Sequence, residues 1–279
     1  MALLETALKV LQVRTGELPG DDVDCLRLEK KCIIFNVDGF SAKRVMLPFM
    51  DLRDVGWRGA VASFSDLIAK GVKPLGALFS VYGRKFENVK EISLGVLDAL
   101  KEYDVVFLGA DTNEGEEAID VTSFGFGKDV PKLTGARPGD LVVVPKACWG
   151  CVSLCLKGKF IEHCKRPKPK LEWAHVISSN LESITASTDS SDGLALSLYK
   201  IARYSKVKII LEKLPSSFEA SEEEVLYGGE EYAPVLTVKR EDAERIATEI
   251  DGIIIGKVEE GEGVWYKGKR VEERGWEWF

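Results

Sequence analysis

The sequence predicts a two-domain protein of mixed α/β (α+β) structure, and three observations carry that expectation. A chain of 279 residues, 45% hydrophobic and 30% charged, can build a sizeable core and stay in water. Short apolar runs alternate with helix-period stretches through both halves. Between the halves, Lys128–Asp140 is rich in Pro and Gly and interrupts the alternation. The boundary is placed there, giving domains over 1–135 and 136–279.

The elements follow in order. Apolar residues at 3, 4, 7, 8 and 11 predict a helix over 1–12, and the Gly/Pro-rich segment 16–24 stops it. Cys32–Val37 reads as a strand ending at Asp38-Gly39. A helix is predicted over 51–70, with a small-residue face (Gly56, Gly59, Ala60, Ser63) and a stop at Gly71–Pro74. Next come a strand over 75–82, an amphipathic helix over 87–103 and a short buried strand over 105–108. That strand ends in the glycine-rich turn Gly109–Gly115, and 119–127 reads as another strand. In the second half, 141–144 is a strand, Trp149-Gly150 opens a short helix, and 172–180 is a helix. A helix over 194–204, strands over 207–211, 235–238 and 253–258, and a helix over 242–250 complete the alternation. Both halves also carry hairpin-like strand pairs, so a purely parallel sheet is not required.

Composition excludes several functions. With 45 acidic and 38 basic residues the net charge is −7, which argues against a nucleic-acid partner. No apolar run reaches membrane-spanning length and Met1–Glu5 lacks a basic leader, so a cytoplasmic protein is expected. The spacing Cys148-x2-Cys151-x3-Cys155, followed by His163-Cys164, invites a zinc reading. Cys151 and Cys155 with Leu154 fit a buried apolar face equally well.

The chemistry-bearing signal is a series of aspartates. Asp189-Ser190-Ser191-Asp192-Gly193 stands at the start of the helix over 194–204, where free N–H groups and the macrodipole favour phosphate. A plain N-cap would explain that stretch alone. Asp21, Asp22, Asp38, Asp66 and Asp111 share the same setting: each lies in a turn, a strand end or a helix end beside Gly, Ser or Thr. Carboxylates brought together repel one another, and divalent cations remove that cost. An all-oxygen set suits Mg²⁺, which brings phosphates with it. The chain has two histidines, neither in these turns, so nucleophilic hydrolysis has little support. Phosphoryl transfer to an already ionised phosphate needs positioning and charge neutralisation rather than a base.

These motifs, in this order, resemble the thiamine-monophosphate kinase family of the aminoimidazole-ribonucleotide synthetase-like superfamily. The resemblance spans nearly the whole chain. It rests on Gly20-Asp21-Asp22, Asn36-Val37-Asp38, Ser63-x-Ser65-Asp66-Leu67, Gly109-Ala110-Asp111-Thr112, Asp189–Leu194 and Gly228-Gly229-Glu230-Glu231-Tyr232. It implies an ATP-dependent kinase converting thiamine monophosphate to the diphosphate. Several Mg²⁺ ions would be held by Asp21, Asn36, Val37, Asp38, Asp66, Asp111, Asp189 and Asp192. Asp21, Asp38 and Asp192 would be catalytic, Gly109, Asp111 and Ser191 would contact ATP, and Glu230 and Trp276 would contact substrate. The implied fold is an N-terminal domain forming a dimeric β-barrel with its mate, and a C-terminal α/β domain. The family's His-Phe is replaced around Val45-Met46, and Leu133 stands near the arginine expected before Gly135. The alternatives are another ATP-dependent reaction of the superfamily, aminoimidazole-ribonucleotide synthetase-like, or a non-catalytic nucleotide-binding relative.

Overall fold

A computed structural model describes residues 16–18, 20–29, 31–215 and 219–276; the helix expected over 1–12 lies outside them. The first half comprises β1 (Asp24–Leu28), β2 (Lys31–Ser41), α1 (Ala42–Val45), α2 (Leu52–Ala69), β3 (Gly76–Gly83), α3 (Phe86–Tyr103), β4 (Val106–Glu114) and β5 (Ala118–Gly127). Its five strands form an open sheet ordered β1-β2-β5-β3-β4, antiparallel except for the β3/β4 pair. The second half comprises β6 (Leu141–Pro145), α4 (Cys151–Leu156), α5 (Ile161–Lys165), α6 (Leu171–Ser179), β7 (Ile184–Thr188), α7 (Leu194–Ser205), β8 (Lys208–Leu211), α8 (Glu222–Tyr227), β9 (Val235–Val238), α9 (Ala243–Glu249), β10 (Gly252–Glu259), β11 (Gly263–Tyr266) and β12 (Lys269–Arg270). Its seven strands are ordered β12-β11-β8-β10-β6-β9-β7, with β11/β8 the parallel pair.

Two expected strand ends lie elsewhere. β2 runs past Asp38 to Ser41, and β4 runs through Gly109 and Asp111 to Glu114. In both, a long neighbour supplies ladder partners where the local sequence reads as a turn: Asp38 pairs with Val121 and Asp111 with Ser80.

Helix α2 organises the first half. It is buried on nearly every side from Asp54 to Ala69. Asp51 caps it, accepting from the Asp54 N–H at 2.9 Å, while the Asp54 carboxylate accepts from the Asp51 N–H at 3.1 Å. Its small-residue face meets α3 closely: a Cβ at Gly56 would strike the Ile92 carbonyl, and one at Gly95 would strike the Arg53 carbonyl. The opposite flank lies on the sheet, where Ser63 and Ser123 hydroxyls meet at 2.6 Å. Period-two alternation along β2 buries Cys32, Ile34 and Asn36 on this helix-covered side and turns Val37 outward. The other face of the sheet is bare: Val37, Val106, Leu108 and Phe126 are each more than 50% exposed.

One continuous core joins both sheets, from Phe64 and Ile119 to Val142 and Leu236. The six cysteines pair as Cys25–Cys32, Cys148–Cys151 and Cys155–Cys164. Among the described residues no helix is long and apolar enough to cross a membrane.

Candidate active site

The site lies where α2 and β2 of the first half meet the β7–α7 turn of the second. One carboxylate oxygen from each of Asp22, Asp66 and Asp189 lies within 4.8 Å of the others. Asp66 sits near the end of α2, on the flank facing β2. Asn36 on β2 binds it, Nδ2 donating to Asp66 Oδ2 at 2.6 Å and to the Asp22 carbonyl at 2.8 Å. The Asn36 Oδ1 is buried and has no hydrogen-bond partner among the described residues. Ser65 donates to Asp189 Oδ2 at 2.6 Å, and Thr188 to Asp22 Oδ2 at 2.5 Å. The two halves are thereby stitched together through the site.

Burial and mutual repulsion set the electrostatics. Burial first, then Asp189, Asp22 and Asp38, raise Asp66 well above the ordinary carboxylate range. Asp189 is pushed up to about 7 by burial and by Asp22. Asp38, two residues along β2 from Asn36, is pushed up to about 6 by burial and by the charges of Asp192 and Glu230, although the Gly39 N–H opposes the shift. Asp22 goes the other way: burial would raise it, but Lys200 and Lys70 hold it low. Lys200 Nζ lies 3.0 Å from Asp22 Oδ1, and the carboxylates around it outweigh burial and raise its pKa.

Other expected site residues fall in different places. Asp21 is not part of the three-carboxylate cluster. Its Oδ1 pairs at 2.6 Å with Lys70, and its Oδ2 accepts from the Leu133 N–H at 3.1 Å. Asp192 is exposed at the mouth, and its carbonyl accepts from the Trp276 N–H at 2.9 Å. Ser191 is half-buried, its carbonyl taken by the Glu230 N–H at 2.8 Å. Gly109 and Asp111 lie on the outer strand β4, where Asp111 is exposed and accepts from Asn113 at 2.9 Å. Val37 projects from the bare face, away from Asn36 and Asp38.

Glu230 is enclosed. Its carboxylate pairs with Arg58, and the Tyr232 hydroxyl donates to it at 2.8 Å. Glu230 and Tyr232 both hold left-handed backbone angles, φ +69° and +48°. Their N–H groups bind the Ser191 and Ser190 carbonyls, so the surroundings hold this costly conformation in place. Glu231 is buried and raised to about 8 by that burial, while accepting from the Gly150 N–H and the Ser190 hydroxyl at 3.0 Å each. Beside this loop opens a cleft of about 430 Å³, lined by Ser153, Glu224, Tyr227, Gly228, Arg274 and Trp276 among others.

Three cations were missed by the sequence reading: Arg58, Lys70 and Lys200. Only Lys200 carried a signal. It lies one turn beyond Ser197 on α7, and Ser197 donates to the Asp189 carbonyl at 2.8 Å, so helical spacing aims Lys200 at the same turn.

Comparison with known proteins agrees with this geometry. Residues 20–128 match the family model described as AIR synthase related protein, N-terminal domain. The chain is 32% identical to the thiamine-monophosphate kinase of Pyrobaculum calidifontis, covering 95% of this chain and 92% of that one. It is 33% identical to the enzyme of the same name from Pyrococcus abyssi, covering 92% and 89%. Among solved structures, one described as AaThiL complexed with AMPPCP and TMP superposes with a TM-score of 0.85 at 29% identity, covering 99% of this chain and 96% of that one. The thiamine monophosphate kinase of Aquifex aeolicus superposes at 0.80 with 27% identity, covering 98% of each. With a cluster of buried carboxylates joining its two halves and near full-length identity above 30%, this chain belongs to the thiamine-monophosphate kinase family.

Proposed function

We infer that the chain transfers the γ-phosphoryl group of ATP directly to thiamine monophosphate, giving thiamine diphosphate and ADP. The observation that carries this is the convergence of Asp22, Asp66 and Asp189 beside the orphaned Asn36 Oδ1, in a chain whose relatives are named for that reaction. Carboxylates crowded until their pKa values rise, next to a buried carbonyl oxygen without a donor, fit Mg²⁺. Asp22, Asp38, Asp66, Asp189 and Asp192 would hold it, with Asn36 and the Val37 backbone as neutral ligands. Asp22 takes the place expected for Asp21. When bound, Mg²⁺ neutralises the phosphate oxygens between donor and acceptor.

The protein's own groups then position and shield. Lys200 sets a fixed positive charge beside Asp22. Ser191 and the start of α7 face the phosphates. Arg58 and Tyr232 fix Glu230 behind Asp38, and Trp276 walls the substrate cleft. The acceptor phosphate is already ionised near neutral pH, so no general base is required. Purified protein with ATP, Mg²⁺ and thiamine monophosphate should yield ADP and thiamine diphosphate in equal amounts. Tight ATP binding without turnover, or ADP release without diphosphate, would defeat this reading.

A homodimer completes the proposal. The bare face carrying Val106, Leu108 and Phe126 gathers exposed apolar side chains on one surface rather than scattering them singly. Pairing it with a second copy would close the open sheets into a barrel and carry Gly109 and Asp111 toward the partner's nucleotide. Phe126→Glu should halve the sedimenting mass; a dimer unchanged by it would refute the assignment. The division at 135/136 is supported by the sheets, since every strand before residue 128 joins one and every strand from Leu141 joins the other. Dependence on ATP suits a cytoplasmic enzyme.

A further inference from the structure

A second group of ligand-type side chains converges away from the carboxylates. Cys148 precedes α4, Cys151 begins it, and His163 lies on α5. Two Sγ atoms and an imidazole nitrogen from these residues all lie within 4.8 Å of one another. Cys151 is fully buried. The His163 Nε2 is buried with no hydrogen-bond partner among the described residues, a costly state for a polar atom. In the structure the Cys148 and Cys151 sulfurs are bonded to each other, which occupies both sulfurs and leaves His163 unsatisfied.

We propose that, in the reduced protein, Cys148, Cys151 and His163 bind a Zn²⁺ ion. Two thiolates and an imidazole form a soft donor set that favours zinc over the hard cations suited to the carboxylate site. The chemistry balances without a change of metal oxidation state. A dithiol reductant takes up the Cys148–Cys151 disulfide and becomes a disulfide itself. The two thiols then release their protons to water as the metal binds, and a water fills the fourth position. The disulfide form has no thiolate to offer and binds nothing, so the site is conditional on reduction.

The position gives the ion a structural consequence. The cysteines pack with Leu47 and Met50 of the segment after α1, and with Phe49 and Trp276 at the edge of the cluster. Ser153, two residues along α4 from Cys151, lines the cleft together with Trp276. The ion therefore clips α4 to α5 behind that wall. This assignment stands independently of the kinase reading.

The test uses the full chain, reduced and stripped of metal, titrated with Co²⁺ as the spectroscopic probe. Thiolate-to-cobalt charge transfer and tetrahedral d–d absorption should grow to about one equivalent per chain and be bleached by Zn²⁺. Cys148→Ser, Cys151→Ser and His163→Gln should each weaken binding at least about tenfold, since even outer-shell partners are worth that much. Asp66→Asn and Cys155→Ser should keep the band, and oxidation should abolish it. Wild-type protein with its thiols counted as reduced but showing no charge-transfer band would overturn the proposal, whatever the variants do. A band insensitive to His163→Gln, or lost in Cys155→Ser, would overturn the ligand set.

Discussion

Lys70→Met isolates what holds the Gly20-Asp21-Asp22 turn against the rest of the site. The Lys70 side chain is wholly buried. Its ammonium lies 2.6 Å from Asp21 Oδ1 and donates to the Ser187 carbonyl at 2.5 Å and the Pro131 carbonyl at 3.1 Å. Methionine fills the same channel and returns none of these bonds. The Asp21 side chain, 6% exposed, would keep only the N–H groups of Leu133 and Asp22. Breaking a buried pair from one side costs about 3–5 kcal/mol, because the remaining charge stays buried. At this chain length each kcal/mol lowers Tm by about 2 °C, so a fall of about 6–10 °C is expected. Thermal unfolding followed by circular dichroism measures it. The double variant Lys70→Met/Asp21→Asn should recover a good part of the loss, since the orphaned charge is then gone. A shift below about 2 °C, or a double variant that is simply additive, would refute the argument that Asp21 serves Lys70.

The same geometry separates two neighbouring aspartates in activity: Asp22→Asn should lower kcat on the order of 100-fold or more, whereas Asp21→Asn should act mainly on stability, and steady-state kinetics on the purified variants distinguishes them. The raised carboxylates fix the sign of a pH effect. Asp38 near 6 and Asp189 near 7 bind protons in the folded state that the unfolded chain has released above its ordinary value of 3.8. In the metal-free protein their contribution to stability is therefore full below that value and lost as pH rises through about 7, a fall that added Mg²⁺ should flatten; a Tm that does not fall between about pH 5 and 8 with chelator present would refute it. Trp276→Ala should raise KM for thiamine monophosphate and leave kcat nearly unchanged, as expected when uniform binding is removed.

Much of this architecture could be read from the sequence, for physical reasons that differ by element. The helix over 51–70 was legible because its small residues have one use, close approach, and Gly56 and Gly95 make that contact. Asp66 and Asp189 stood out through their setting beside Ser and Thr, whereas Asn36, between Phe35 and Val37, was marked only by the resemblance to the family. The ends of β2 and β4 were not, because the pairing that extends them comes from β5 and β3, remote in sequence. β7 and α8 escaped notice because Ile184-Thr-Ala-Ser-Thr and Glu222-Glu-Glu-Val-Leu-Tyr have little periodic apolar content. Buried cations were hardest. Arg58 meets Glu230 across 172 positions and Lys70 meets Ser187 across 117, so nothing near either residue announces its partner. The choice between Asp21 and Asp22 was likewise made by Lys70 and Lys200, not by the turn that holds both.

The reciprocal glycines of α2 and α3 have a consequence for motion. Each helix presents a notch into which the other's carbonyl fits, so neither can slide or rotate by a residue without driving a side chain into backbone. The height of Asp66 above the sheet is gauged by that fit. Phosphates gathered at Asp66 would thus meet a wall that does not give. The turn before α7, the 228–232 loop and the segment reaching Trp276 are bound to one another instead, through the N–H groups of Glu230, Tyr232 and Trp276 on the carbonyls of Ser191, Ser190 and Asp192, so any shift of one carries the other two with it.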